Sequence, residues 1–190
     1  MHDPRLDPGF AIAYQCEPTP GRHSISSYQY IDLYSVGKMF PRAKQMIKAA
    51  KGKESKKIKG YAAGTYYMQL VNSAGMCFFG AITSALPVVD WLNAVTGWDL
   101  PADEFFKTGE RILSLRKAFN AREGVKPEDH KLSDRALGKK PLTKGPLKGV
   151  TIDMGQLMTE FYDTVGWDLS TGCPTKEKMI ELGIDRLFTD

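Results

Sequence analysis

The chain has 190 residues, of which 42% are hydrophobic and 25% charged, with a net charge of +4, the balance of an ordinary globular protein with one core or two small ones joined. No apolar run can span a bilayer, since the longest, Phe78 to Val95, is broken by Thr83, Ser84, Pro87, Asp90 and Asn93. Cys16, Cys77 and Cys173 are too few and too far apart for a disulfide framework, and no apolar signal core follows Met1, so a reducing cytoplasm is expected.

Residues 1 to 25 contain Pro4, Pro8, Pro18 and Pro20, which forbid a long regular helix and predict an extended or turn-rich opening segment. Ser26 to Ala50 carries helix-compatible stretches broken near Gly37 and Pro41. From Lys38 to Lys59 there are nine basic residues against Glu54 alone, a local charge of +8 that leaves the rest of the chain mildly acidic. Two readings of this stretch stand: a solvated helix end followed by a mobile Lys/Gly loop at about 49–60, or a docking patch. With the rest of the chain mildly acidic in sum and no aromatic-plus-basic sheet, nucleic acid is not an expected partner.

Tyr61 to Ala74 predicts a helix, with Tyr66, Tyr67, Leu70, Val71 and Ala74 on one stripe and Gly75 as its stop. Phe79 to Val95 reads as a mostly buried helical hairpin partner, restarted at Pro87 and ended by Gly97. Asp99 to Arg122 predicts a helix capped by Asp99, with Phe105, Ile112, Leu115 and Phe119 as its apolar stripe, joined by Phe106 and Leu113. Residues 125 to 150, rich in Pro, Gly and Lys, form an excursion. Asp153 to Val165 is a further amphipathic helix with a capping-box-like Asp153…Gln156, and Thr175 to Leu182 a short one stopped by Gly183. With no period-2 alternation and no repeat, the fold class is all-α, an irregular multihelical packing.

Local motifs for nucleotide, zinc or acyl-transfer chemistry are absent, and His2, His23 and His130 have no metal-ligand spacing. The chemistry-bearing candidate is Cys77, just past the Gly75 turn. It reads locally either as a small buried hydrophobe or as one thiolate ligand of an iron–sulfur cluster. For the second reading Met76, Phe78 and Phe79 would exclude water.

Asn72-Ser73-Ala74-Gly75-Met76-Cys77 resembles the Asp-x-x-Gly-Leu-Cys motif of the tungsten-containing aldehyde ferredoxin oxidoreductase family. Met1-His2-Asp3-Pro4-Arg5, Gly21-Arg22-His23, Leu92 to Trp98, Gly109-Glu110-Arg111-Ile112, Ala118 to Gly124, Gly166-Trp167-Asp168 and Pro174 to Lys178 resemble further family segments in the same order. The similarity covers essentially the whole chain.

The resemblance implies that residues 1–190 are the helical C-terminal region of an oxidoreductase. Such an enzyme oxidises an aldehyde to a carboxylic acid at a tungsten (or molybdenum) bis-pterin and passes electrons through a 4Fe-4S cluster to ferredoxin. It implies that Cys77 is the fourth cluster ligand, that Asn72, Gly75, Met76 and Cys77 line a pterin, and that His23 assists proton transfer. The residue-based reading of His23 is a surface histidine in a Pro-rich loop. The implied partners are an N-terminal cofactor domain or subunit, ferredoxin, the aldehyde, and a second copy in a homodimer. The family's CxxCxxxC run is absent here, and neither Cys16, read as a loop cysteine, nor Cys173, read as a surface one, replaces it. The chain alone is therefore expected to be inactive. Asn72 stands where the family has Asp, which removes a charge-assisted contact but keeps an amide acceptor. The rival expectation is a non-catalytic helical module that binds a partner subunit.

Overall fold

The computed structural model describes residues 2–24, 32–83 and 86–187. Among them the regular structure is helical and no strand is present, as the sequence pattern predicts. None of the helices is long and apolar enough to cross a membrane.

The opening segment departs from the turn-rich expectation. Helix α1, Pro8–Gln15, starts at a proline whose missing N–H costs nothing in the first turn, and the Asp7 carboxylate accepts from Gly9 N at 2.8 Å. Gly9 to Gln15 are all buried. Cys16 follows as its C-cap and is fully enclosed, not a loop cysteine. Helix α2, Leu33–Met39, is capped by Asp32 and runs through Gly37, and α3, Pro41–Lys48, restarts at the expected proline. Residues 26 to 31 lie outside the described set. Phe40, between α2 and α3, is fully buried with its ring against Tyr67 and Phe106.

The central element is α4, Lys53–Ser73, in which Gly60 to Val71 are buried without interruption. It begins two turns before Tyr61, so the expected Lys/Gly loop shrinks to residues 49–52. Lysine and glutamate are good helix formers, and their repulsion does not outweigh propagation from a buried helix. At the other end Gly75 takes φ +69 and Met76 N–H donates to the Val71 carbonyl at 3.1 Å, a Schellman closure at the predicted place.

Helices α5, Phe78–Ile82, and α6, Val88–Thr96, follow, with Gly97 in the left-handed region as the stop. They are not mostly buried. Only Ala81 and Val88 are enclosed, whereas Phe79 is 70% and Val95 85% exposed, with Trp91 and Trp98 also open. Apolar periodicity marks a face that something covers; it does not say that the same chain covers it.

Helix α7, Ala102–Arg122, starts after Pro101 with no side-chain cap, and Asp99, the expected cap, instead adopts φ +52. Its buried face is also rotated from the expected stripe. Phe105, Phe106, Gly109, Glu110, Leu113, Ser114, Lys117 and Ala118 are buried, while Phe119 is 51% exposed. Gly109 sets this face: a methyl group there would overlap the Tyr66 carbonyl of α4. The two backbones touch at this crossing.

Beside it, buried Glu110 pairs with Arg42 of α3 at 2.8 Å and with Lys178 at 2.9 Å. Glu181 in turn pairs with Arg42 at 3.0 Å and Lys178 at 2.7 Å. Burial alone would lower the Lys178 pKa, but the carboxylates of Glu110 and Glu181 more than offset it, and it lies above the usual lysine value.

After a short helix α8, Asp134–Leu137, the expected helices close the fold. Helix α9, Met154–Val165, is capped by Asp153, which accepts from Gln156 N at 3.1 Å. Helix α10, Lys176–Leu182, is capped by Thr175 and stopped by Gly183 at φ +68. Lys178 and Glu181 lie on α10, so the charge seam ties α3, α7 and α10 together.

Gly109→Ala is expected to destabilise the chain by at least about 2 kcal/mol, because a backbone must move to admit the methyl. Thr108→Ala on the same helix should cost less than about 0.5 kcal/mol. Urea unfolding midpoints of the two variants check this.

Candidate functional site

The fully buried body of α4 fixes where its C-terminal end points. Asn72 and Ser73 occupy its last turn and are exposed, and the Asn72 carbonyl accepts from Gly75 N at 3.1 Å. Gly75 turns the chain in open space, with nothing within 4 Å of where a Cβ would sit. Met76 is half-buried and packs on the core. Cys77 then stands at the N-cap of α5, exposed, with its side chain not used as a cap. The buried-hydrophobe reading of Cys77 is therefore overturned. Phe78 and Phe79 follow with ring centroids 5.2 Å apart. Together they make a thiol flanked by apolar rings, on a turn held by hydrogen bonds to a buried helix.

His23 lies in a second cluster. Its ring is 4.6 Å from that of His2, edge to face, and 6.2 Å from Phe10. The His2 ring stacks on Phe10 at 5.1 Å, and the His2 N–H donates to the Tyr14 hydroxyl at 2.9 Å. Burial, then the neighbouring His2, holds the His23 pKa below the ordinary histidine value, which makes it a weaker base. His23 is half-buried against α1 rather than a free surface histidine. Sequence spacing alone gave no link between His2 and His23.

A third polar cluster was not legible in the sequence. Glu17 is buried; its Oε1 accepts from the Tyr61 hydroxyl at 2.7 Å and the Thr65 hydroxyl at 3.0 Å, while Oε2 has no hydrogen-bond partner among the described residues. Burial raises its pKa. Buried Lys117 donates to the Cys16 carbonyl at 3.2 Å and lies over the rings of Trp167 and Tyr162 at 5.3 and 5.6 Å. The available signal was a lysine placed one turn beyond Leu113 on an otherwise apolar face of α7. Among the described residues no group of three or more His, Cys, Asp or Glu side chains could hold a metal ion.

Residues 1–184 match the family described as aldehyde ferredoxin oxidoreductase, domains 2 and 3. The tungsten-containing aldehyde ferredoxin oxidoreductase of Pyrococcus furiosus is 36% identical over 121 residues, 63% of this chain and 20% of that protein. The protein of the same description from Pyrococcus horikoshii is 31% identical over 120 residues, again 63% and 20%. That from Thermococcus kodakarensis is 35% identical over 117 residues, 60% and 19%. The matched stretch thus spans about a fifth of the length of these relatives.

The three thiols should differ sharply in reactivity. Cys16 is enclosed and burial pushes its thiol up to about 12, and Cys173 is half-buried and also raised, chiefly by burial. Iodoacetamide labelling followed by peptide mass spectrometry is expected to modify Cys77 first, Cys173 more slowly, and Cys16 only after unfolding.

Proposed function

This chain belongs to the aldehyde ferredoxin oxidoreductase family, and from that premise we propose that it forms the helical C-terminal part of an enzyme oxidising aldehydes to carboxylic acids. In this reading aldehyde and water give carboxylate, protons and two electrons, and the electrons leave to ferredoxin. The exposed Cys77 thiol on its fixed turn is the observation that carries the reading. A tungsten (or molybdenum) bis-pterin would supply the oxidising centre, and a 4Fe-4S cluster the exit path for electrons.

The residues present fit one corner of such a site. A four-iron cluster takes four thiolates, and this chain offers Cys77 alone in an accessible setting. The other three ligands and the bulk of the cofactor contacts are assigned to an N-terminal cofactor domain or subunit, so the chain alone has no activity. Cys77 would give its sulfur to the cluster. The Asn72 amide oxygen would accept from a pterin N–H, Gly75 would leave room for close backbone approach, and Met76 would complete the lining. In this chain Cys77 and Phe79 are exposed; with the N-terminal part in place Phe78 and Phe79 would help to shield the sulfur, and a drier, lower-dielectric shell shifts a redox centre's potential. His23 is assigned the role of assisting proton transfer. A reducing cytoplasm keeps Cys77 as a free thiol.

Asn72, in place of the family's Asp, favours a second reading, in which the chain is a non-catalytic helical module that binds a partner subunit. Co-expression with a family N-terminal domain separates the two. The enzymatic reading predicts dye-coupled aldehyde oxidation, lost by more than about a thousandfold in Cys77→Ala if the cluster fails to assemble, with pterin retention rising in Asn72→Asp. A stable complex free of tungsten, molybdenum and iron supports the module instead. Stoichiometric iron and sulfide in the isolated monomer contradicts both.

A further inference from the structure

Helices α2 and α3 and the start of α4 enclose a groove of about 620 Å³. Leu33, Tyr34 and Ile47 give it an apolar lining, and Lys38, Lys44, Lys48, Lys53, Lys56 and Lys57 surround it. Lys38 lies over the Tyr34 ring at 4.4 Å. None of the six forms an ion pair among the described residues; the paired cations are Arg5, Arg42, Arg122, Lys139 and Lys178. Three of the lysines, Lys53, Lys56 and Lys57, crowd the first turns of α4, whose N-cap Gly52 gives no side-chain cap. Cations at the positive end of a helix oppose its dipole and cost stability. With Asp32 near Lys38 and Glu54 in the first turn of α4 as nearby carboxylates, the groove keeps an excess of positive charge around an apolar floor.

We propose that this groove is a docking surface for an acidic segment of a protein partner, its carboxylates meeting the lysine rim and an apolar side chain resting on Leu33 and Ile47. The rim holds lysines and no arginine, point charges that attract carboxylate and phosphate alike. The apolar floor favours an acidic peptide over a phosphate backbone, because only the peptide brings an apolar side chain to rest on Leu33 and Ile47. Its single aromatic, Tyr34, makes no stacking platform for bases. Opposed charge of this kind raises association rate and fixes partner choice, and the apolar floor slows departure. The surface serves a catalytic enzyme and a non-catalytic module alike, so it stands apart from the redox reading.

The test is fluorescence anisotropy on the full chain with a labelled peptide in which glutamates flank a Leu-Phe pair. The combined Lys53→Glu, Lys56→Glu and Lys57→Glu variant should bind at least about tenfold more weakly, with its circular dichroism unchanged. If that variant unfolds, Lys44→Gln with Lys48→Gln supplies the same comparison. Leu33→Ser should weaken binding severalfold and leave its salt dependence unchanged. The proposal is overturned if the peptide fails to bind at low salt, or if the lysine variants bind as well as the parent chain. It is equally overturned if an all-glutamate peptide binds as tightly, or if a single-stranded oligonucleotide or anionic vesicle binds more tightly than the peptide.

Discussion

Helices α4 and α7 cross with backbone against backbone at Gly109, where the Tyr66 carbonyl leaves no room for a side chain. The rest of the molecule is arranged around that contact. It brings Glu110 into the interior, where a carboxylate persists only if paired, and Arg42 and Lys178 reach it from two other helices. Removing either cation leaves Glu110 with one cationic partner instead of two, so the seam favours the packing in which both α3 and α10 meet α7. With α7 on one side and α1, α3 and α9 on others, α4 has no exposed residue between Gly60 and Val71.

A helix held this firmly presents its end as a fixed platform. The turn from Asn72 to Cys77 inherits its position from α4 through three backbone hydrogen bonds, Ala74 to Leu70, Gly75 to Asn72 and Met76 to Val71. Cys77 is thus displayed without being part of the core. Phe79, Trp91, Val95 and Trp98 beyond it are exposed as well. Exposed large apolar side chains mark surfaces that meet another molecule when they are grouped. The positive groove includes the start of α4, at the opposite end of that helix from Cys77.

What the sequence could convey was local. Gly75, Gly97 and Gly183 stop helices where their positive φ is required, and Asp153 and Thr175 cap the helices that follow them. The opening helix was hidden because Pro8 and Pro18 look like breakers, although a proline at N1 starts a helix as readily as it ends one. The Lys-rich start of α4 was hidden because its charge suggested a loop. The buried face of α7 followed from Gly109, a residue whose importance lies in having no side chain, and no apolar stripe reports that. Exposure at Cys77 and along α6 was equally invisible, since the same pattern serves a core and a face kept for a partner. Glu17 and Lys117 were illegible for a related reason: long-range folding brings the partners of both from α4, α9 and beyond.

The central claim is that Cys77 is held out as a ligand for a metal cluster completed by another chain or domain. Its alkylation rate in an assembly with a family N-terminal domain, before and after iron chelation, tests that claim most directly. The account predicts a Cys77 protected in the assembly and released when iron is stripped, with Cys173 unchanged throughout. A Cys77 that reacts in the assembly as fast as in the isolated chain, or whose protection survives complete removal of iron, would contradict it.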